Sequence, residues 1–251
     1  MEHKYKTAEV AKIIGVHPNT VRLYEKYQLI PKPERQNNGY RVFTDLHIEQ
    51  FKLARAMLKV EVLQNGLRKK AVDIIKISAA KNFDAAILLT GNYLSQIRVE
   101  RRNAEEAIEI VKHILSESYN MEESVHLSLT RKQTAEYLQV TMDTLRNWEL
   151  NGLITVRRRQ NGYRIYTDDD IMRLKIIRSL RCANYSLAAI LRMLAAIACD
   201  PDINIRKVID TPEHDDDIIS VCDKLLTSLR EAEDNALIAI TQLKKMKKQF
   251  K

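Results

Sequence analysis

Gly39-Tyr40-Arg41-Val42-Phe43-Thr44-Asp45 returns 123 positions later as Gly162-Tyr163-Arg164-Ile165-Tyr166-Thr167-Asp168, with five of seven residues identical. Just upstream, Thr20-Val21-Arg22-Leu23-Tyr24-Glu25 returns 124 positions later as Thr144-Leu145-Arg146-Asn147-Trp148-Glu149. The offset falls by one because a single residue is lost between the two blocks. Shared Gly, Tyr, Arg, Thr and Asp at one spacing indicate an internal duplication of a small module.

Each copy reads as a helix, a turn, a second helix and a hairpin. Thr7 is a candidate cap for a helix over Ala8–Ile14, with Glu9 in its positive first turn. Gly15 supplies the left-handed conformation that ends it. Pro18 suits the first position of the second helix. Ala11, Gly15 and Val21 have the small–turn–branched spacing of a helix-turn-helix. The second copy keeps Ala135, has Leu145 for Val21, and offers Thr130 and Gln133 as a capping box. Gln139 stands where Gly15 does, so that turn is either strained or differently shaped. After an apolar stop (Leu29-Ile30, Leu153-Ile154), Asn38-Gly39 and Asn161-Gly162 mark the turns of two β-hairpin wings.

The net charge of +8 is segregated. Residues 1–60 carry 11 Lys/Arg against 6 Asp/Glu, and residues 128–195 carry 12 against 6, so the rest of the chain is net negative. Basicity confined to the two repeats points to a polyanion that binds both. A nearly two-fold module suggests a nearly two-fold target, for which operator DNA is the candidate. There is no run of 18 apolar residues and no apolar N-terminal stretch, so neither a membrane span nor a secretory signal is expected. Three cysteines (Cys182, Cys199, Cys222) form no close-spaced pair and suit a reducing cytoplasm.

Residues near the start of the second helix are those that reach base edges and phosphates in a major groove. Those are Asn19, Thr20, Arg22 and Tyr24 in one copy, and Thr144, Arg146, Asn147 and Trp148 in the other, with Asp143 opposite Asn19. Arg35, Tyr40 and Arg41, and Arg157, Arg158, Arg159, Tyr163 and Arg164, put guanidiniums and hydroxyls on the wings. Tyr24 and Trp148 divide between core packing and contact with sugar–phosphate. Glu25 and Glu149 read as internal ion-pair partners, because a carboxylate repels phosphate.

On these residues the chain resembles the MerR family of transcription regulators. Val21-Arg22-Leu23-Tyr24-Glu25 and Asn38-Gly39-Tyr40-Arg41-Val42-Phe43 are similar to the family's recognition helix and wing. Ile171–Ile177 and Asn184–Ile190 resemble its third and fourth helices, with Ser186 capping the fourth. The resemblance covers residues 5–58 and 128–195, extends over a long helix at 212–250, and fades over 59–127. There Gly66-Leu67-Arg68 is only a loose counterpart of Asn184-Tyr185-Ser186. Family members ordinarily carry one module per chain and homodimerise, so the duplication is a departure.

The resemblance implies a mainly α fold: two winged helix-turn-helix domains, each with a small β-hairpin wing, plus long antiparallel coiled-coil helices. It implies two modules gripping a pseudo-palindromic operator in double-stranded promoter DNA, regulation by bending or untwisting that DNA, and RNA polymerase at the same promoter. The expected division is a first module at 1–75, a linking segment at 76–127 with a helix at about 92–117, a second module at 128–195, and a connector with a C-terminal helix at 196–251. The heptads support the helices independently. Ile218, Cys222, Leu225, Leu229, Ala232, Ala236, Ala239, Leu243, Met246 and Phe250 keep a 4-3 spacing, and so do Leu94, Ile97, Arg101, Ala104, Ile108, Val111 and Leu115. Thr211-Pro212 reads as the opening of the C-terminal helix, with Glu213 and Asp215–Asp217 near its positive end. The two helices are expected to pair within one chain as a single-chain pseudo-dimer, the alternative being a homodimer with four modules.

No phosphate-binding glycine loop, nucleophile–base pair or spaced catalytic set supports an enzyme. No cofactor is expected. Glu109, His113 and Glu117 share a helical face but read as a solvated stripe, and Cys222 falls on the apolar seam, so no metal site is expected either. The effector is unknown. With no separate C-terminal ligand domain expected, its candidate cleft is lined by Ile74, Ile75, Ile77, Phe83, Ile87, Leu88 and Leu89, for which ordinary core packing is the simpler reading.

Overall fold

The computed structural model describes residues 3–59, 66–119, 128–200, 203–211 and 224–250. It divides into two compact units, residues 1–99 with 228–251, and residues 100–227. Each is mainly helical with a small antiparallel sheet.

In the first unit, α1 (Thr7–Ile14) is opened by Lys6 rather than by Thr7, the Glu9 carboxylate accepting the Lys6 N–H at 2.6 Å. Gly15 ends it with φ of 70°. α2 (Pro18–Lys26) is capped by His17, whose Nδ1 accepts the Asn19 N–H at 3.2 Å. β1 (Glu34–Arg35) pairs antiparallel with β2 (Arg41–Val42) in the register Glu34 to Val42 and Arg35 to Arg41. The hairpin turn is closed by Gly39 N–H to Gln36 O at 2.8 Å, and Gly39 has φ of 82°. α3 (Asp45–Leu58) follows. The core is Val10, Ala11, Val21, Ile30, Phe43, Ile48 and Phe51, so the positions expected to bring the two short helices together do so. Burying these apolar side chains, at about 25 cal/mol per Å² removed from water, is what holds so small a module.

α4 (Leu67–Ala79) packs on α3 and follows a left-handed Gly66 where an ordinary cap would stand. This fourth helix exists although its sequence barely resembles its counterpart. α5 (Phe83–Tyr119) begins nine residues before the expected 92, with the Asn82 Oδ1 accepting the Ala85 N–H at 3.2 Å, and it runs through Gly91. Within this unit residues 83–99 lie antiparallel to residues 228–249. Asp84 pairs with Lys247 and Arg98 with Glu233, so an advance of 14 residues on one helix is a retreat of 14 on the other. Tyr93, Leu94 and Ile97 on one helix and Leu229, Ala232, Ala236, Ala239, Leu243 and Met246 on the other are all buried, and Tyr93 shares one small pocket with Ala232 and Ala236. Lys245 and Gln242 also bond the Glu49 carboxylate, which ties this helix to the module through α3.

In the second unit the order repeats: α6 (Arg131–Leu138), α7 (Met142–Leu150), β4 (Arg157–Arg158), β5 (Arg164–Tyr166), α8 (Asp168–Cys182) and α9 (Leu187–Cys199). A further strand, β3 (Leu129–Thr130), precedes α6 and pairs with β5, giving the order β3-β5-β4. In the first unit the same role is reduced to a single Tyr5–Phe43 bridge. Thr130 and Gln133 form the expected capping box. Gln139 adopts φ of 51°, so it takes the left-handed shape of Gly15 with a side chain attached. Ser186 caps α9, accepting the Ala189 N–H at 2.9 Å. The buried Tyr185 donates its hydroxyl to Ala104 O on the later part of α5, at 3.3 Å.

α10 (Ile205–Ile209) leads to Asp210, whose carboxylate accepts the N–H groups of Leu226 and Thr227 at 2.8 and 3.1 Å. Those are donors near the start of the described part of α11 (Leu225–Gln249). The expectations for Pro212, Glu213, Asp215–Asp217, Ile218 and Cys222 lie outside the described residues.

Candidate nucleic-acid interface

The two modules build one arrangement twice. Arg41 Nε donates to Glu25 Oε2 at 2.5 Å, and Arg35 Nη2 lies 3.6 Å from Glu25 Oε1. In the second module Arg164 Nε donates to Glu149 Oε2 at 2.7 Å, and Arg158 Nη2 lies 3.8 Å from Glu149 Oε1. Each carboxylate, projecting from the second helix of its module, holds one arginine from each strand of the wing. Glu25 and Glu149 are therefore the internal partners the sequence suggested, and they fix the angle between helix and hairpin. The Glu149 hydrogen bond raises the Arg164 guanidinium above its ordinary value, against the opposing effect of burial.

On the outer side of α2, Arg22 is exposed and donates to Asn19 Oδ1 at 3.1 Å, a bond that aims the guanidinium along the helix. Thr20 is half-buried beside it. On α7, Arg146 and Asn147 are exposed, and Thr144 bonds the Thr141 hydroxyl at 2.8 Å. Tyr40 and Tyr163 sit at the wing tips, 72% and 71% exposed. Arg157, Arg158 and Arg159 are exposed along the second wing.

One assignment fails. Trp148 is only 4% exposed, so its indole is a core residue and presents no surface to a duplex. Tyr24 is intermediate: its ring lies 5.0 Å from that of Phe51 at 30°, and burial raises its hydroxyl above the usual value.

The sequence reading missed Lys26, Lys32 and Lys76, which gather with Arg22 and Arg41 around one cleft of the first unit. Lys26 was accessible to it, being four residues after Arg22 on one helical face. Lys76 was not, because only the packing of α4 on α3 brings it there. Among the described residues no group of three or more His, Cys, Asp or Glu is placed to hold a metal ion. Glu109 pairs with Lys112 at 2.8 Å, and Cys182 and Cys199 are exposed thiols. No described helix is long and apolar enough to cross a membrane. Of the candidate effector residues, Ile75 and Phe83 are core and Leu88 is exposed. Ile74, Ile77 and Leu89 line a groove of about 500 Å³ between α4 and α5.

Residues 6–43 match the model of the MerR family regulatory protein, and residues 129–197 that of the MerR HTH family regulatory protein. The chain carries two MerR-family modules. Over 66 residues it is 32% identical to the mercuric resistance operon regulatory protein of Bacillus cereus, covering 26% of this chain and 50% of that protein. Over 71 residues it is 38% identical to the HTH-type transcriptional regulator ZntR of Escherichia coli, covering 28% and 50%. Over 128 residues it is 27% identical to the uncharacterized HTH-type transcriptional regulator YyaN of Bacillus subtilis, covering 47% and 92%. The chain thus spans about half the length of the first two relatives. No solved structure matches it. The MerR-type matches are to regulators, not to enzymes.

Proposed function

We propose that this two-module MerR-type chain is a sequence-specific, double-stranded-DNA-binding transcription regulator. Its two modules grip the two arms of a pseudo-palindromic promoter operator and bend or untwist the DNA between them, with RNA polymerase at the same promoter and the protein in the cytoplasm. The observation that carries this reading is the doubled clamp. Glu25 and Glu149 each hold two wing arginines, leaving Arg22 or Arg146 exposed on the same helix and a tyrosine exposed at the wing tip.

Asn19, Thr20, Arg22 and the outer edge of Tyr24, with Thr144, Arg146 and Asn147, would read bases and nearby backbone. Arg35, Tyr40 and Arg41, and Arg157, Arg158, Arg159, Tyr163 and Arg164, would hold phosphates. Because Asn19 and Leu23 are replaced by Asp143 and Asn147 at the matched positions of the repeat, the two arms should differ in sequence. The pairing of residues 83–99 with 228–249 supports a single-chain pseudo-dimer.

The test is selection of duplex fragments by the purified full chain at about physiological salt. Two related half-sites at fixed spacing with unequal arms are expected. Only salt-sensitive general binding would favour an architectural role, and none at all an adaptor using its helix pair. Light scattering should return one chain mass. Twice that mass would replace the pseudo-dimer by a homodimer.

A further inference from the structure

A cleft of about 740 Å³ opens in the first unit between the end of α2, the Ile30–Lys32 segment and the last turn of α4. Arg22, Lys26, Lys32, Arg41 and Lys76 line it above a floor that includes Ile30 and Ala79. Among the described lining residues Glu25 is the single carboxylate, and it already holds Arg41 and Arg35. Arg22, Lys26, Lys32 and Lys76 are all exposed, so the mouth of the cleft is cationic and wet.

The second module lacks these lysines. The position matching Lys26 is Leu150, Lys32 falls where the second copy loses one residue, and α9 carries Ala195 and Ala196 near the place of Lys76. It has instead Arg157-Arg158-Arg159 in the wing, where the first has Glu34-Arg35-Gln36. The duplicates have moved their extra positive charge in opposite directions, one toward the base of the second helix and the other toward the wing.

We infer that Lys26, Lys32 and Lys76, beside Arg22, form a cradle for consecutive backbone phosphates of duplex DNA on one operator arm. The second module holds its arm through the arginine wing. A duplex offers one charge per ~1.7 Å of axis, so several amines around one cleft can each meet a phosphate. This rests on the DNA-binding reading above and goes beyond it, because it makes the two arms mechanically unequal whatever their base sequence.

The test uses the full chain, the duplex it selects, and two triple variants, Lys26→Ala/Lys32→Ala/Lys76→Ala and Arg157→Ala/Arg158→Ala/Arg159→Ala. Each phosphate contact contributes ~0.9 to the slope of log affinity against log salt, so each triple should lower it by about 2 to 3. Neutral methylphosphonate linkages on one arm should weaken the wild type and leave the lysine triple unaffected. On the other arm both proteins should respond. The lysine changes fall on exposed side chains, so thermal unfolding of that triple should match the wild type. A lysine triple with the wild-type slope and arm sensitivity overturns the cradle. If, in addition, inorganic phosphate raises the melting temperature of the wild type and not of that variant, the cleft holds a small anion instead. A wild type that shows no salt-dependent duplex binding overturns the regulator reading itself, and the cradle with it.

Discussion

Gln50 and Arg173 stand at matched positions of the two modules and perform one task with different chemistry. Gln50 Nε2 donates to Leu29 O at 3.0 Å, and Arg173 Nε donates to Leu153 O at 2.6 Å. Both carbonyls belong to the apolar stop after the second helix, so each side chain locks that stop to the third helix. Gln50 is fully buried and also serves Ile75 O at 2.9 Å and the Ser78 hydroxyl at 2.8 Å. Arg173 is half-buried, and burial pulls its guanidinium below the ordinary value.

The consequences of removal differ accordingly. Gln50→Leu strands two buried carbonyls and a hydroxyl, each costing about 1–3 kcal/mol. Arg173→Leu strands a single carbonyl, that of the buried Leu153, and should cost about 1–3 kcal/mol in all. With two units in the chain a single unfolding free energy is ill-defined, so the measurement is amide exchange resolved by unit. Gln50→Leu should deprotect α4, and equal losses in both units would refute the distinction.

Glu25→Gln sets two effects against each other. Removing a carboxylate beside the duplex raises general affinity, while releasing Arg41 and Arg35 loosens the wing. A half-buried pair of this kind is worth about 1 kcal/mol, a factor of about five. The specific-to-general affinity ratio should therefore drop about fivefold while general binding tightens. A titration in which both affinities fall together would mean that Glu25 does more than orient the wing. Glu149→Gln should behave alike on the other arm.

Gln139 carries a cost that Gly15 avoids. A side chain in the left-handed region costs about 1 kcal/mol, so Gln139→Gly should stabilise the second unit by up to that amount. Gly15→Ala should destabilise the first by about 1–2 kcal/mol. A Cβ at Gly15 would meet nothing within 4 Å, which makes that penalty conformational and not steric. Thermal unfolding of the two variants should shift in opposite directions, and a shift of one sign for both would count against the strain.

The modules were legible because duplication aligns the chain with itself: Ala11, Val21 and Gly15 predicted the first helix pair, and Ala135 and Leu145 the second. The heptads were equally readable, with every described apolar position of the C-terminal series from Leu225 to Met246 buried. What failed was decided by tertiary contact. Trp148 and Tyr24 occupy one position of the repeat, and nothing local says that one ring is buried while the other stays half-exposed. β3 is two residues long and has no period to read. The helix expected from about residue 92 begins at Phe83, where Phe83, Ala86 and Thr90 are buried. Asp210 accepts the Leu226 N–H across 16 positions of sequence, outside any local capping pattern, and Lys76 joins Lys26 across 50.

Glu49 gives the first unit a dependence on acid. Burial alone would raise its carboxyl, but hydrogen bonds from Lys245, Lys52 and Gln242 outweigh that, and the folded value lies below the ordinary 4.5. A group whose folded value is depressed contributes full stability above its unfolded value and loses it as pH falls through the folded one. The loss therefore occurs below about pH 4.5, and it falls on the contact that ties α11 to α3. Urea unfolding of the first unit, followed from about pH 6 down to about pH 3, should show stability declining with acid in the wild type. Glu49→Gln should start lower, because Lys245 then lacks a counter-charge, and should decline less steeply. Parallel declines in the two proteins would mean that the acid sensitivity belongs to other carboxylates, and that Lys245 holds the helix without help from the charge of Glu49.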